Sequence, residues 1–390
     1  MNLILLALYL LAATVIVLEY SLRVTTKVDT ESVLAASVST RSCLEATPFL
    51  FKPINRSCDW DWPILSTVQS VRYDGPSGLP MRCDWVIGTR MQHWRRVPVE
   101  IVYGSLVKHP KSIFVQREYL QPFNDIIMPC LKKRIVLIIG DHDLTTPRQI
   151  DVRYPLIYPP YPSWMNKSIP NSFKLSTWSS WLSDPRISHI FVEHLDVKGP
   201  SKVSPIPLGL DPSNAPLSFL RSLSASKILN QTLTRLNRRP LMMRFTNRVR
   251  GGPQWKARIE TKRMCETVWK KICNSAPAPS HALFFDEIAR YPFVLCAHGG
   301  GIDPNPQAWS ALIAGSIPII QSFPGDDMYN DLPVVKVSKL PTDEINETTL
   351  LEWRSKLEKH FHGNARVKVV EKLTTNYWWE KIQEEVRALG

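Results

Sequence analysis

Short, almost wholly apolar runs alternate along the chain with longer stretches in which apolar residues recur every three or four positions. Ile101 to Tyr103, Ser112 to Val115, Ile135 to Ile139 and Ile187 to Glu193 lack the in-out alternation of a half-exposed strand, and they predict buried parallel strands. Arg117 to Leu131, between the second and third, has helical spacing and completes a strand, helix, strand order. A second series follows at Leu241 to Phe245, Phe293 to Ala297, Ser316 to Gln321 and Pro333 to Val337. Helical patterns separate these runs too. Trp255 to Cys273 carries Met264, Cys265, Val268, Trp269 and Ile272 on one stripe, and Thr348 to Phe361 and Ala365 to Leu389 repeat the period. Two α/β lobes are expected, with a boundary near residues 225 to 240.

The amino-terminal pattern differs. Leu3 to Leu18 contain no charge and are followed by Glu19, Arg23 and Lys27, which suits a signal anchor that just reaches bilayer length if Met1, Asn2 and Tyr20 sit at the interfaces. A cleaved signal peptide is the rival, although no small-x-small site follows closely. The expected organisation is an anchor over 1–20, a Ser/Thr/Pro-rich stem over 21–95, a first lobe over 96–235, a second over 236–365 and a terminal helix over 366–390.

Composition adds limits. The 390 residues are 44% hydrophobic and 21% charged, as in a folded body rather than a disordered or polytopic chain. The net charge is +13, and Arg235 to Lys271 alone holds twelve cations against Glu260 and Glu266, so one patch rather than a general coat is basic. That distribution points to a local anionic ligand and away from nucleic acid. Arg23 and Lys27 after the apolar segment argue against a lumenal body. Sequons at Asn55, Asn166, Asn230 and Asn346 argue for one, as do seven cysteines without a C-x-x-C pair. Cys265 and Cys273, eight apart on a predicted helix, would lie ~12 Å apart and could not pair.

The chemistry concentrates after the Phe293 run, in Cys-Ala-His-Gly-Gly-Gly-Ile-Asp-Pro-Asn-Pro-Gln-Ala-Trp, residues 296 to 309. Three glycines between a buried strand and a helix let backbone amides approach a ligand with no Cβ in the way. Asn305 suits an N-cap, Pro306 the first helical position and Gly315 the left-handed residue past the end. Unpaired N–H groups at such a helix start bind phosphate. Arg244, Arg248, Arg250 and Arg258 follow the first strand of this lobe, near the carboxyl edge where open α/β sheets take ligands, and guanidinium suits diphosphate oxygens. Lys262, Arg263, Lys270 and Lys271 fit a solvated helix face.

The run from His298 to Ile320, with Tyr329 and Leu-Pro-Val-Val at 332 to 335, resembles the carboxyl-terminal lobe of exostosin-like glycosyltransferases. Ile-Gly-Asp-His-Asp at 139 to 143, Phe-Val-Glu-His-Leu-Asp at 191 to 196 and Pro-Ile-Pro-Leu-Gly-Leu at 205 to 210 match the same family in order, so the resemblance covers roughly 110 to 355. It implies a GT-B fold of two Rossmann-like lobes around a cleft and an inverting transfer from a nucleoside diphosphate sugar, with no other cofactor or metal. It also implies a glycan or glycoprotein acceptor and a type II anchor in the Golgi or endoplasmic reticulum membrane, with the body lumenal. Donor contacts are then expected from Arg244, Arg248, Arg250, Arg258, His298, Gly299, Gly300, Gly301, Asp303, Gln307 and Ser310. Many members carry Arg and then Glu in the helix after the glycine turn, where Gln307 and Ser310 stand here. That departure opens a second reading, a catalytically silent lumenal glycan-binding protein.

Asp143, His194 and Asp141 are the candidate acceptor-side groups, with Glu193 and Asp196 beside them, all at predicted strand ends. Asp141-His142-Asp143 could instead hold a divalent metal, as in metal-dependent GT-A transferases. Trp164, Trp178 and Trp181 could stack on sugar faces or fill the core.

Overall fold

The computed structural model describes residues 50–52, 79–88, 91–92, 95–96, 101–104, 109–140, 145–148, 177–210, 239–244, 256–275, 281–298, 301–302 and 306–390. Residues 49–390 form one compact unit. Its first sheet runs β1 (Leu50–Lys52), β2 (Trp85–Gly88), β5 (Ile101–Gly104), β6 (Ser112–Gln116), β7 (Ile135–Gly140), β8 (Ile187–Val192) and β9 (Val203–Pro205) in chain order. Its spatial order is β1-β5-β2-β6-β7-β8-β9, and a separate ribbon pairs β3 (Met91–Gln92) with β4 (Arg95–Arg96). Strands at 50–52 and 85–88 fall in the stretch expected as stem, so the first sheet begins earlier than the apolar runs suggest. The sheet is also mixed, because β5 pairs antiparallel with β2. From β6 to β9 every pairing is parallel. All six residues of β7 are buried, which is why the sequence shows no alternation there.

The second sheet is parallel throughout, in the order β11-β10-β12-β13-β14, from β10 (Leu241–Met242), β11 (Cys273–Asn274), β12 (Phe293–Cys296), β13 (Ile317–Gln321) and β14 (Val335–Val337). The helix Pro306–Ala314 joins β12 to β13, and residues 307 to 314 are all buried. It ends as its sequence indicates. Gly315 is left-handed at φ 83°, its N–H reaches the Leu312 carbonyl and that of Ser316 the Ala311 carbonyl, the paired bonds of a Schellman motif. Trp309 is fully buried and stacks on Tyr329 at 4.8 Å between ring centroids. The core around them also takes in Phe114, Val136 and Ile138, so apolar packing runs unbroken from one lobe into the other.

The chain end contributes to that continuity. One helix is expected over 365–389, but there are two, Gly363–Lys372 and Thr375–Arg387. Thr374 separates them, its Oγ1 accepting the Tyr377 N–H at 3.2 Å. Trp378, Ile382 and Val386, four apart on one face, belong to the shared core, and Lys111 Nζ donates to the Gly390 carbonyl at 3.3 Å. The last helix therefore packs on the first lobe rather than standing as a separate terminal element.

Cys265 and Cys273 are joined in a disulfide, contrary to the sequence expectation. The helix there is Lys256–Glu266, and the chain then turns, so Cys273 lies in β11 with its Cα 5.3 Å from that of Cys265. Cys130 is disulfide-bonded too. No helix among the described residues is long and apolar enough to cross a membrane, and the expected anchor over 1–20 lies outside them.

Candidate functional site

The parallel strands of each lobe end on a carboxyl edge, and the two edges meet. On the first lobe, β8 delivers Glu193, His194, Leu195 and Asp196, all buried. Gly140 closes β7 beside them. A Cβ at Gly140 would stand 2.8 Å from Glu193 Oε2, so any larger residue would require that carboxylate to shift. The pairing of β7 with β8 then resumes past the strand ends, where Thr146 bridges Leu195. The Thr146 N–H donates to the His194 carbonyl at 3.1 Å, and the Asp196 N–H donates to Thr146 O at 2.8 Å. Asp196 accepts the Arg148 N–H at 3.2 Å on Oδ2 and at 3.4 Å on Oδ1. It thus fastens residues 145–148 to the end of β8, while Asp141 and Asp143 lie outside the described residues.

Burial controls the charges here. Desolvation pushes the Asp196 carboxyl up to about 7, against the opposing influence of the Thr145 side chain and the attraction of Arg148 and Arg117. It pushes the His194 imidazole down to about 3, with repulsion from the Arg117 guanidinium acting in the same direction, and it lowers Arg117 itself to about 9. His194 is therefore neutral at physiological pH. Its backbone is left-handed at φ 52°, an uncommon state for a residue with a Cβ.

On the second lobe, β12 leads into His298 and the glycine turn. Arg258, on the helix Lys256–Glu266, donates from Nε to the His298 carbonyl at 2.9 Å and so holds the backbone where the turn begins. The His298 ring lies edge-on to Phe323, with centroids 6.3 Å apart. Gly301, at the far side of the turn, meets the other lobe directly. A Cβ there would sit 2.6 Å from Nδ1 and 2.8 Å from Nε2 of His194, inside any allowed contact. A second close approach lies nearby, where a Cβ on Gly325 would come within 3.4 Å of the Leu195 carbonyl. The glycine turn thus touches the ring of a first-lobe candidate without any side chain between them.

Several expected donor groups take other roles. Arg244 is a clamp within the second lobe: Nε donates to Glu287 Oε1 at 3.1 Å, Nη1 to the Asn274 carbonyl at 2.8 Å and to the Met243 carbonyl at 3.0 Å, and Nη2 is ion-paired with Glu287. All three nitrogens are engaged, because Arg244 follows β10, whose neighbour β11 carries Asn274, and the helix His281–Ile288 brings Glu287 within reach. Ser310 turns its hydroxyl back to the Pro306 carbonyl at 2.9 Å, the i to i−4 bond common for serine inside a helix. Gln307 is buried. Arg248, Arg250, Gly299, Gly300 and Asp303 lie outside the described residues, as does Trp164. Trp178 and Trp181 are core residues, and Trp181 Nε1 donates to Asn124 Oδ1 at 2.9 Å. No group of three His, Cys, Asp or Glu residues among the described ones is placed to hold a metal.

No family model and no curated protein matches the chain. Among solved structures, an alpha,alpha-trehalose-phosphate synthase (UDP-forming) from Burkholderia vietnamiensis overlaps 71% of this chain and 72% of its own, with a TM-score of 0.31 and 10% identity. The GtfA/B complex overlaps 70% of this chain and 57% of its own, with a TM-score of 0.30 and 11% identity. Similarities this low carry no weight for the chemistry of the site.

Two residues of the first-lobe edge escape a reading of the sequence. Arg117 reads as the opening of a helix, and Arg148 sits in a stretch without pattern. Both are buried cations beside Asp196. The one available signal is position, since Arg117 directly follows the last residue of β6.

Proposed function

We propose that the protein is a glycosyltransferase of GT-B architecture, exostosin-like in kind, that moves a hexose or pentose from a nucleoside diphosphate sugar to a glycan or glycoprotein acceptor. The contact of Gly301 with His194 carries the reading. It sets a side-chain-free turn, whose amides suit a diphosphate, against the edge where acceptor-side groups gather. Arg258 fixes the start of that turn, and Arg248 and Arg250 are the cations proposed for the phosphate oxygens.

An inverting transfer needs a base for the acceptor hydroxyl. Asp143 is the proposed base, with Asp141 two positions before it in the sequence. A neutral His194 orients the acceptor by accepting a hydrogen bond rather than by storing a proton. No metal is required, so activity is expected to survive a chelator, whereas the metal-dependent reading of Asp141 and Asp143 requires its loss. The proposed location is the lumenal side of the Golgi or endoplasmic reticulum membrane behind an anchor at 1–20, and the Cys265–Cys273 disulfide supports an oxidising compartment.

A panel of UDP and GDP sugars tests the reading by thermal stabilisation and by transfer or hydrolysis of the donor. One donor at a hundred times its Kd is expected to stabilise the fold by ~2.7 kcal/mol. A panel in which nothing binds and nothing turns over would overturn the proposal. The second reading, a silent glycan-binding protein, is favoured by the inward-turned Ser310 hydroxyl and the missing carboxylate at that helix. It predicts glycan binding without turnover.

A further inference from the structure

Among the four sequons, the one at Asn346, Glu347 and Thr348 falls wholly within described residues, and its local structure is built around the asparagine. Asn346 is the N-cap of the helix Glu347–Leu357, with extended backbone at φ −146° and ψ 174°. Its Oδ1 accepts the Thr349 N–H at 3.0 Å, supplying one of the partners that a helix start lacks. Ile345 before the cap and Leu350 after it are both buried in the same apolar cluster, the arrangement of a hydrophobic staple. The cap is therefore fixed from beneath, while Asn346, Glu347 and Thr348 are all exposed.

The two ends of the side-chain amide have different work. Oxygen holds the helix. Nitrogen makes one long bond, from Nδ2 to the Glu344 carbonyl at 3.3 Å. N-glycosylation replaces one hydrogen of Nδ2 and leaves Oδ1 and the second N–H in place. A glycan on Nδ2 thus leaves the capping bond from the Thr349 N–H to Oδ1 chemically in place.

We propose that Asn346 is a glycosylated residue whose side chain caps its helix and carries an N-linked glycan at once. This rests on the lumenal location proposed above. In the modification, a bond forms between Nδ2 and the anomeric carbon of an oligosaccharide held on a lipid diphosphate. The bond from that carbon to the diphosphate oxygen breaks, and the amide proton leaves with the diphosphate.

The test is expression of the full chain in a eukaryotic secretory host, removal of glycans by an amidase in heavy-oxygen water, and peptide mass spectrometry. Residue 346 is expected to appear as aspartate bearing the heavy oxygen. The Tm should be unchanged by the treatment apart from the loss of the glycan's own effect, because aspartate caps a helix as well as asparagine does. Thr348→Ala is expected to abolish the modification while leaving the cap, so it stays informative if Asn346→Gln folds poorly. An unmodified Asn346 in a chain whose other sequons are occupied would overturn the site and leave the lumenal reading standing. A chain with no sequon occupied would overturn both.

Discussion

The two carboxyl edges that meet at Gly301 and His194 are built on opposite plans. The first-lobe edge is crowded with buried ionisable groups, Arg117, Arg148, Glu193, His194 and Asp196, and desolvation raises the Asp196 carboxyl and lowers the His194 imidazole and the Arg117 guanidinium. The second-lobe edge comes closest through glycines, Gly301 against the His194 ring and Gly325 near the Leu195 carbonyl, while Arg258 holds the His298 carbonyl. One edge presents buried protonatable groups, and the other meets it with glycines. Such a pairing suits a reaction in which an anionic group is cradled on one side and a hydroxyl is oriented on the other.

The sharpest way to break this contrast is to put a side chain on the glycine edge. Gly301→Val should lose donor stabilisation in the thermal assay and lower unfolding stability by ~2 to 4 kcal/mol, because its Cβ would overlap the His194 ring. Trimming the ring in the double variant Gly301→Val, His194→Ala should return part of that stability. A double-mutant cycle with no coupling would mean that the edges do not meet.

The charged edge makes the next prediction, for pH. An acid whose folded pKa is raised, as Asp196 is to about 7, contributes most stability below its unfolded value near 3.9 and loses it as pH rises through 7. A base whose folded pKa is lowered, as His194 is to about 3, contributes above its unfolded value near 6.5 and loses it as pH falls. Between pH 7.5 and 4.5 the two slopes oppose each other. His194→Gln should gain on the order of 3 kcal/mol on acidification over that interval, and Asp196→Asn should lose a similar amount. Urea midpoints at the two pH values measure both, and parallel slopes in the two variants would refute the assignment.

The smallest effect is expected inside the helix Pro306–Ala314. Ser310→Ala removes only a bond that the hydroxyl makes to its own helix, so stability should change by less than ~0.5 kcal/mol and donor affinity should not move. A clear fall in affinity would make Ser310 a direct ligand and weaken the silent reading.

The strands of both lobes were legible because burial on two faces leaves a continuous apolar run, as in Ile135–Gly140 and Phe293–Cys296. The helix Pro306–Ala314 was legible at both ends, since proline and glycine state their positions through backbone geometry alone. Local chemistry determined those features, and the sequence therefore contains them. What Arg244 does was not local. A guanidinium after a strand satisfies a phosphate or a carboxylate equally well, and only the fold brought Glu287 and Asn274 within reach. The disulfide was hidden for the same reason, because an apolar stripe that continues past Glu266 does not record where the chain leaves the helix. The contact of Gly301 with His194 joins positions more than a hundred residues apart, so the glycine's need for an empty Cβ position was decided by tertiary packing and not by its own turn.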